Sequence, residues 1–323
     1  MRLEESEAML ETMRRSPLLR KMGPLLGLLL LCFILAFLSD RFLTVNNLLN
    51  ITRQVSLNAI IGVGMTLVIL TGGIDLSVGS VVALAGSITA GLLSGGHGLA
   101  VSLAAGIGVG GVLGLINGLI ITRQKVQPFI ATMGMMTIAR GYTLVYTDGR
   151  PITGMPEQFR FFGGGYIADI PVPVIIMALI FLAGYIMLKK TRFGRYIYAI
   201  GGNEEATRLS GINTPKVLVW VYVLCGTLAG LSGIIMASRL NSAQPTAGMG
   251  FELDAIAAVV LGGTSLSGGV GTIGGTLVGA LIIGVLDNGL NLLNVSSFYQ
   301  QVAKGIVILL AVMLDRKRGK GGA

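Results

Sequence analysis

Ten apolar stretches alternate with short polar ones along the chain, at about 22–39, 56–71, 78–94, 99–121, 128–146, 172–188, 217–237, 253–263, 273–293 and 298–314. Most of them reach the roughly 17–25 residues that a helix needs to cross a hydrocarbon core of about 30 Å. The pattern predicts an all-α integral membrane protein of about ten transmembrane helices, occupying residues 22–314. The stretches at 56–71 and 253–263 are short for a crossing. The first stretch does not read as a cleavable signal, because no small-residue cleavage site follows it and an amphipathic head, residues 1–21, precedes it. Residues 315–323 form a basic tail.

Composition strengthens this reading. Only 12% of the residues are charged, about half the roughly 25% of soluble domains, while 53% are hydrophobic. Such a chain has too little polar surface to dissolve as a globule. Most of the 49 glycines lie inside apolar runs, where small residues let membrane helices approach closely. Cys32 and Cys225 stand far apart and give no disulfide or metal spacing, and the lone His97 sits in a Gly-rich turn.

Charge placement sets the orientation. If both termini are cytoplasmic, 17 of the 24 Lys and Arg fall on inner segments, five on outer ones, and Arg140 and Lys304 within spans. That bias obeys the positive-inside rule, so the net charge of +9 reads as topology and not as an affinity for nucleic acid.

An internal repeat punctuates the pattern. LTGGIDLSVGS (70–80) recurs as VLGGTSLSGGV (260–270), with Gly72, Gly73, Leu76, Ser77 and Gly79 matching Gly262, Gly263, Leu266, Ser267 and Gly269. Both copies end a run travelling inward, so the repeat is parallel. The glycine pairs suit helix C-caps, and Asp75 or Ser265 is expected to cap the helix that follows. Such paired discontinuities predict two broken helices. They mark either a solute path, because freed backbone groups survive at membrane depth only against protein or a water-filled cavity, or ordinary tight turns at the surface. The charge of Asp75 is open to three readings: pairing with a base, gating, or simple complementarity to a helix N-terminus.

The long inner loop 189–216 predicts one short helix at about 203–210, with Asn203 as N-cap, Glu204 and Glu205 in its first turn, Gly211 closing it and Pro215 opening the next span. It reads as a docking element or as a helix lying at the headgroups. Polar residues within spans are few. Asp287 and Lys304 are placed to pair, Asp254 is expected near the outer surface, and Asp287, Asn288, Asn291 and Asn294 recur at helical spacing, either to meet hydroxyl groups or to join helices. No phosphate-binding loop is present, since GGVGTIGG (268–275) lacks the lysine, and nothing resembles a nucleophile–base pair. These features predict no catalytic residues, no metal and no cofactor of the chain's own.

LVILTGGIDLSVGS (67–80), TRFGRYIYAIGGNEEATRLSGIN (191–213), SRLNSAQPTAGMGFELDAIAAVVLGGTSLSGG (238–269) and DNGLNLLNVSSFYQ (287–300) resemble the permeases of bacterial ABC importers for simple sugars. The resemblance runs from about Phe42 to Asp315 and departs at the N-terminal head and the outer loop 150–170. It implies a subunit of the bacterial inner membrane that pairs with a second copy of itself. A cytoplasmic ATPase, which binds the ATP, would dock from one side, and a periplasmic sugar-binding protein would deliver solute from the other. The implied solute is a monosaccharide, ribose first, with galactose, xylose, a nucleoside, a branched-chain amino acid or autoinducer-2 as alternatives; a secondary sugar transporter is the rival class. The resemblance also turns the helix 203–210 into a coupling helix, with Arg195, Asn203, Glu204, Glu205 and Arg208 towards the ATPase. It places Asp75, Ser77, Ser265, Ser267, Asn288 and Asn291 along the path or gate, and Gly72, Gly73, Gly262 and Gly263 at the helix breaks.

Overall fold

The computed structural model describes residues 17–319. Most of the expected head 1–21 and the last residues of the expected tail 315–323 lie outside the described residues; 17–21 and 315–319 continue the flanking helices. Every apolar stretch of the sequence is helical. The helices are α1 (Pro17–Leu38), α2 (Val45–Leu70), α3 (Val78–Ser94), α4 (Leu99–Arg123), α5 (Pro128–Thr147), the single turn α6 (Phe161–Gly164), α7 (Val172–Lys190), α8 (Arg192–Gly202), α9 (Glu204–Leu209), α10 (Thr214–Leu240), α11 (Phe251–Leu261), α12 (Ile273–Leu292) and α13 (Ser297–Gly319). Five of them, α2, α4, α7, α10 and α12, are long and apolar enough to cross a membrane.

Two short stretches have different fates. The run at 56–71 is the C-terminal part of a 26-residue helix, α2. Asn46, Asn47, Asn50, Thr52, Arg53 and Gln54 interrupt its hydrophobicity without interrupting the helix, and tertiary partners meet two of them. Asn47 bonds Asn288, and Arg53 Nη2 donates to Tyr166 Oη at 2.6 Å. The run at 253–263 is short in fact: α11 has 11 residues, about 16 Å of helix at 1.5 Å per residue.

Helix α2 is the centre of the molecule. From Val55 to Leu70 every residue except Asn58 is buried, and α7, α10, α11 and α12 pack around it. Lipid is as apolar as this interior, so what holds these helices is close packing and not escape from water. Ile60, Ile61, Met65, Leu67, Ile69 and Leu70 fill that core, and truncating such a side chain to Ala costs about 2–5 kcal/mol through the void it leaves. Large apolar side chains on α1, α5, α7 and α13 face outward, among them Phe37, Val145, Leu179 and Leu309.

The tightest seam joins α4 to α10. A Cβ on Gly110 would strike the Gly226 carbonyl oxygen, and one on Gly226 the Gly110 carbonyl oxygen. Gly106, Gly114 and Gly118 continue the line at four-residue intervals, and with Gly110 they are the buried glycines of α4. At one end of this pair the excursion 148–171 is pinned to α10: Ser238 Oγ donates to the Phe159 carbonyl at 2.5 Å and accepts from the Gly163 amide at 2.8 Å. Its small hairpin pairs β1 (Tyr166–Ile167) with β2 (Ile170–Pro171).

Candidate functional site

The two copies of the internal repeat build similar corners. Helix α2 ends at Leu70, Gly72 turns left-handed at φ +80°, and the Gly73 amide reaches back to the Val68 carbonyl at 3.1 Å. Helix α11 ends at Leu261, Gly263 turns at φ +89°, and the Thr264 amide reaches back to Val259 at 3.1 Å. Both are the same closed helix end, which satisfies terminal carbonyls through a residue that needs no Cβ. The left-handed residue is Gly72 in one copy and Gly263 in the other, so the helix ends are offset by one place within the aligned motifs.

Past each corner a side chain folds onto the amide two residues on. Asp75 Oδ1 accepts from the Ser77 amide at 2.9 Å and the Ser77 hydroxyl at 2.6 Å. Ser265 Oγ accepts from the Ser267 amide at 3.3 Å. These turns precede the helices without capping them. Ser77 is the N-cap of α3 and makes no side-chain cap bond, and α12 begins only after Thr272, whose Oγ1 accepts from Gly275 N at 3.0 Å. The expectation that Asp75 and Ser265 cap the helices that follow is therefore corrected: Ser77 stands at the N-cap of α3, and because seven residues separate α2 from α3 but eleven separate α11 from α12, the second cap moves to Thr272.

The polar side chains of the first corner are sealed inside the subunit, although Gly72 itself is exposed. Asp75 and Ser77 are each 1% exposed. Ser77 Oγ also accepts from Asn117 Nδ2 at 3.0 Å, Thr132 Oγ1 accepts from the Leu76 amide at 3.1 Å, and the Cys225 thiol reaches the Asp75 carboxylate. Of the three readings of Asp75, pairing with a base is the one this geometry replaces: hydroxyl, amide and thiol donors surround the carboxylate. The second corner is more open, with Ser267 and Val270 exposed.

The corners touch each other. The Gly269 amide donates to the Leu70 carbonyl at 2.9 Å, so the second corner completes the end of α2. The loop 189–216 arrives at the same point. It contains two helices where the pattern suggested one, because Arg192–Gly202 forms α8 before the expected helix. Thr191 caps α8 from Gly194 N at 3.2 Å, and its Gly194, Ile197 and Ile200 are buried while Arg192 and Arg195 are exposed. That three-residue spacing of buried positions was the available signal. Helix α9 follows as expected. Asn203 Oδ1 accepts from the Ala206 amide at 2.8 Å, Gly211 closes the end at φ +84°, and Pro215 stands in the first turn of α10. Glu204, Glu205 and Arg208 are exposed; Arg208 bonds Glu205 at 2.6 Å, and Thr214 bonds Glu204 at 3.2 Å.

The amides of α12 lie elsewhere. Asn288 is 16 positions beyond Thr272, on the order of 24 Å along the helix. It pairs with Asn47, while the exposed Asn291 accepts from Gln300 Nε2 at 2.9 Å. Beside them Lys304 bridges Asp254 at 3.0 Å and Asp287 at 2.9 Å. The pairing of Asp287 with Lys304 is as expected. Asp254 is buried, at 7% exposure, and belongs to the same bridge, with Asn58 Nδ2 at 3.4 Å. Arg140 secures the approach to α11, donating from Nη1 to the carbonyls of Pro245 (2.7 Å) and Ala247 (2.9 Å). The candidate residues thus form two groups, one around the corners and α8–α9, the other at the far end of α12. Asn47, Asn117, Thr132 and Thr272 join them unforeseen: Asn117 and Thr132 are single polar residues in apolar runs, Asn47 and Thr272 lie in the polar stretches between runs, and neither setting gives a pattern.

Residues 47–312 match the family model described as branched-chain amino acid transport system / permease component. The chain is 57% identical over 298 residues to the ribose import permease protein RbsC of Escherichia coli (strain K12), covering 91% of this chain and 93% of that one. It is 56% identical over 302 residues to the protein of the same name in Bacillus subtilis (strain 168), covering 93% and 94%. It is 43% identical over 278 residues to the D-allose transport system permease protein AlsC of Escherichia coli (strain K12), covering 86% and 85%. No solved structure matches.

Proposed function

The chain belongs to the family of branched-chain amino acid transport system / permease components, and from that premise we propose that it is the ribose-translocating permease subunit of an ATP-binding-cassette importer. The observation that carries the solute is the 57% identity to a ribose import permease across 91% of the chain. The 43% identity to a D-allose permease is the second reading for the solute. The subunit is a transport component of a multi-pass inner-membrane assembly. ATP hydrolysis belongs to a separate ATPase, and solute delivery to a periplasmic binding protein.

The finer architecture is part of the proposal. Ten helices, α1–α5, α7 and α10–α13, cross or enter the bilayer, both termini are cytoplasmic, and two copies of the subunit enclose the path. The distribution of Lys and Arg supports this orientation. The matched corners after α2 and α11 support a parallel repeat with two broken helices. Helix α9 is the ATPase-docking element of the loop 189–216, through Arg195, Asn203, Glu204, Glu205 and Arg208. Its geometry supports this: it is capped, short, exposed and bears two acids and a base. Ser265 and Ser267 stand at the path, and Asp75 and Ser77 gate it by fixing the first corner. Asn288 and Asn291 mark its other end.

Reconstitution in proteoliposomes with the ATPase and binding protein tests the reading. ATP-dependent uptake of labelled ribose is expected. Uptake without the ATPase would favour a secondary transporter, and ATP-driven uptake of allose in preference to ribose would replace the solute alone.

A further inference from the structure

The segment that leads into α9 passes directly between the two corners. We infer that this crossing, built from Tyr198 and Gly201 of α8, Leu70 at the end of α2, and Gly269–Gly271, is the joint by which movement of α9 reaches both corners at once. The inference rests on the reading of α9 as the docking element.

Three observations meet here. First, Leu70 carries one of the terminal carbonyls that no helix can satisfy internally, and its partner is the Gly269 amide of the other repeat, at 2.9 Å. Second, Gly201 lies against that bond: a Cβ at this position would collide with both the Leu70 carbonyl oxygen and the Gly269 amide nitrogen. Gly268 is held from its other side, with space for a Cβ closed at 3.0 Å by Gly201 and by the Gly72 amide. Third, the Tyr198 hydroxyl donates to the Gly271 carbonyl at 2.8 Å, one helical turn before Gly201.

The contact is backbone against backbone. Long side chains absorb displacement by changing rotamer, but two peptide groups in contact cannot, so a shift of Gly201 must be followed by Leu70 or by Gly269. Helix α8 is stiff enough to deliver such a shift. Ile197 and Ile200 are buried under it, and only Asn203 separates it from α9. Asn203 serves both helices, since its amide bonds the Ala199 carbonyl of α8 at 3.0 Å and its side chain caps α9. A push on α9 therefore turns about Asn203 and arrives where α2, the second corner and the start of the first corner touch. Tyr198 and Gly201 are positioning residues: they act through Gly271, Leu70 and Gly269.

The test uses the reconstituted importer and reads uptake, phosphate release and ATPase co-purification in parallel. Tyr198→Phe removes one hydrogen bond and no volume from the core; ribose taken up per ATP is expected to fall about threefold to tenfold, with phosphate release and co-purification within about twofold of the wild type. Gly201→Ala is expected to fall further. Wild-type uptake per ATP in both variants overturns the joint. So does a parallel fall in all three readouts, which marks a merely structural contact. Should Gly201→Ala fail to assemble, Tyr198→Phe decides alone. A wild-type chain that transports without ATP overturns the importer reading and the joint with it, whereas a coupled wild type with unaffected variants overturns the joint only.

Discussion

Asn47 and Asn288 hold each other through two amide hydrogen bonds, Nδ2 to Oδ1 in each direction, at 2.9 and 2.8 Å. The pair ties the polar start of α2 to the far end of α12, and Asn47 also donates to the Phe42 carbonyl at 2.9 Å. Each amide is the other's answer to burial. Removing Asn47 takes away both bonds of the Asn288 amide, and removing Asn288 leaves the Asn47 Oδ1 without its donor while Nδ2 keeps the Phe42 carbonyl; an orphaned buried group costs about 1–3 kcal/mol. Asn288→Ala is therefore expected to lower the melting temperature in detergent, and Asn47→Ala to do the same. The double variant should lose less than the sum, by about 0.5–3 kcal/mol of coupling. Strict additivity in a thermal-shift series would show that the reciprocal pair contributes nothing.

Lys304 stands between two carboxylates, so the bridge carries a net negative charge. Lys304→Met would leave Asp254 and Asp287 facing each other with no cation, at a cost of about 3–5 kcal/mol for an uncompensated buried charge. Asp287→Asn keeps one full ion pair, between Lys304 and Asp254, and should fold far better. Membrane-inserted yield and thermal aggregation in detergent measure both. Equal stability of the two variants would show that the bridge does not hold α13 to α11 and α12.

Thr272 and Ser265 offer a direct contrast. The Thr272 side chain caps the 20-residue helix α12 and the Ser265 side chain only closes a turn, so Thr272→Ala should cost about 1 kcal/mol and Ser265→Ala a few tenths. Chemical denaturation in mixed micelles separates them. A larger loss from Ser265→Ala would return the cap to the repeat motif.

The acids of α9 sit at its N-terminus, where the helix dipole favours negative charge. Replacing Glu204 and Glu205 together by Lys reverses that preference and the sign of the surface offered to the ATPase. The ATPase should no longer co-purify, while the permease keeps its elution profile. Full retention of the ATPase would remove these two residues from the contact. Arg208→Ala is expected to weaken the complex less. Its bond to Glu205 is an exposed pair of adjacent helix turns, screened by solvent, and contributes little to folding.

Much of the helical layout was legible because lipid makes hydrophobicity a direct record of the spans. The limits of α3, α7, α10 and α12 follow the apolar runs to within a few residues. What stayed hidden has specific causes. The start of α2 was obscured because Asn47 and Arg53 find partners from residues far along the chain. Helix α8 was lost in a basic loop because its buried face comprises three small or apolar positions amid aromatic and charged ones. The helix 203–210 was readable from a strictly local code of cap, acids and closing glycine. The meeting of Leu70, Gly201 and Gly269 was not, because backbone atoms make the contacts and glycine carries no side chain to announce a partner. Within the candidate site, the repeat glycines and Asp75 were visible as a motif, but the enclosure of Asp75 by Asn117, Thr132 and Cys225 depended on α4, α5 and α10 coming together.

The seam of α4 and α10 also bears on how this sequence can drift. At Gly110 and Gly226 the smallest possible gain, one methyl group, collides with a peptide carbonyl on the opposite helix. No single exchange at either position is neutral, and no exchange at one compensates the other, since both need the same empty space. The outward faces of α1 and α13 ask only for an apolar side chain of any shape. Substitutions should accumulate on that periphery and be purged from the seam, so the same fold holds positions of nearly free choice beside positions with one admissible residue.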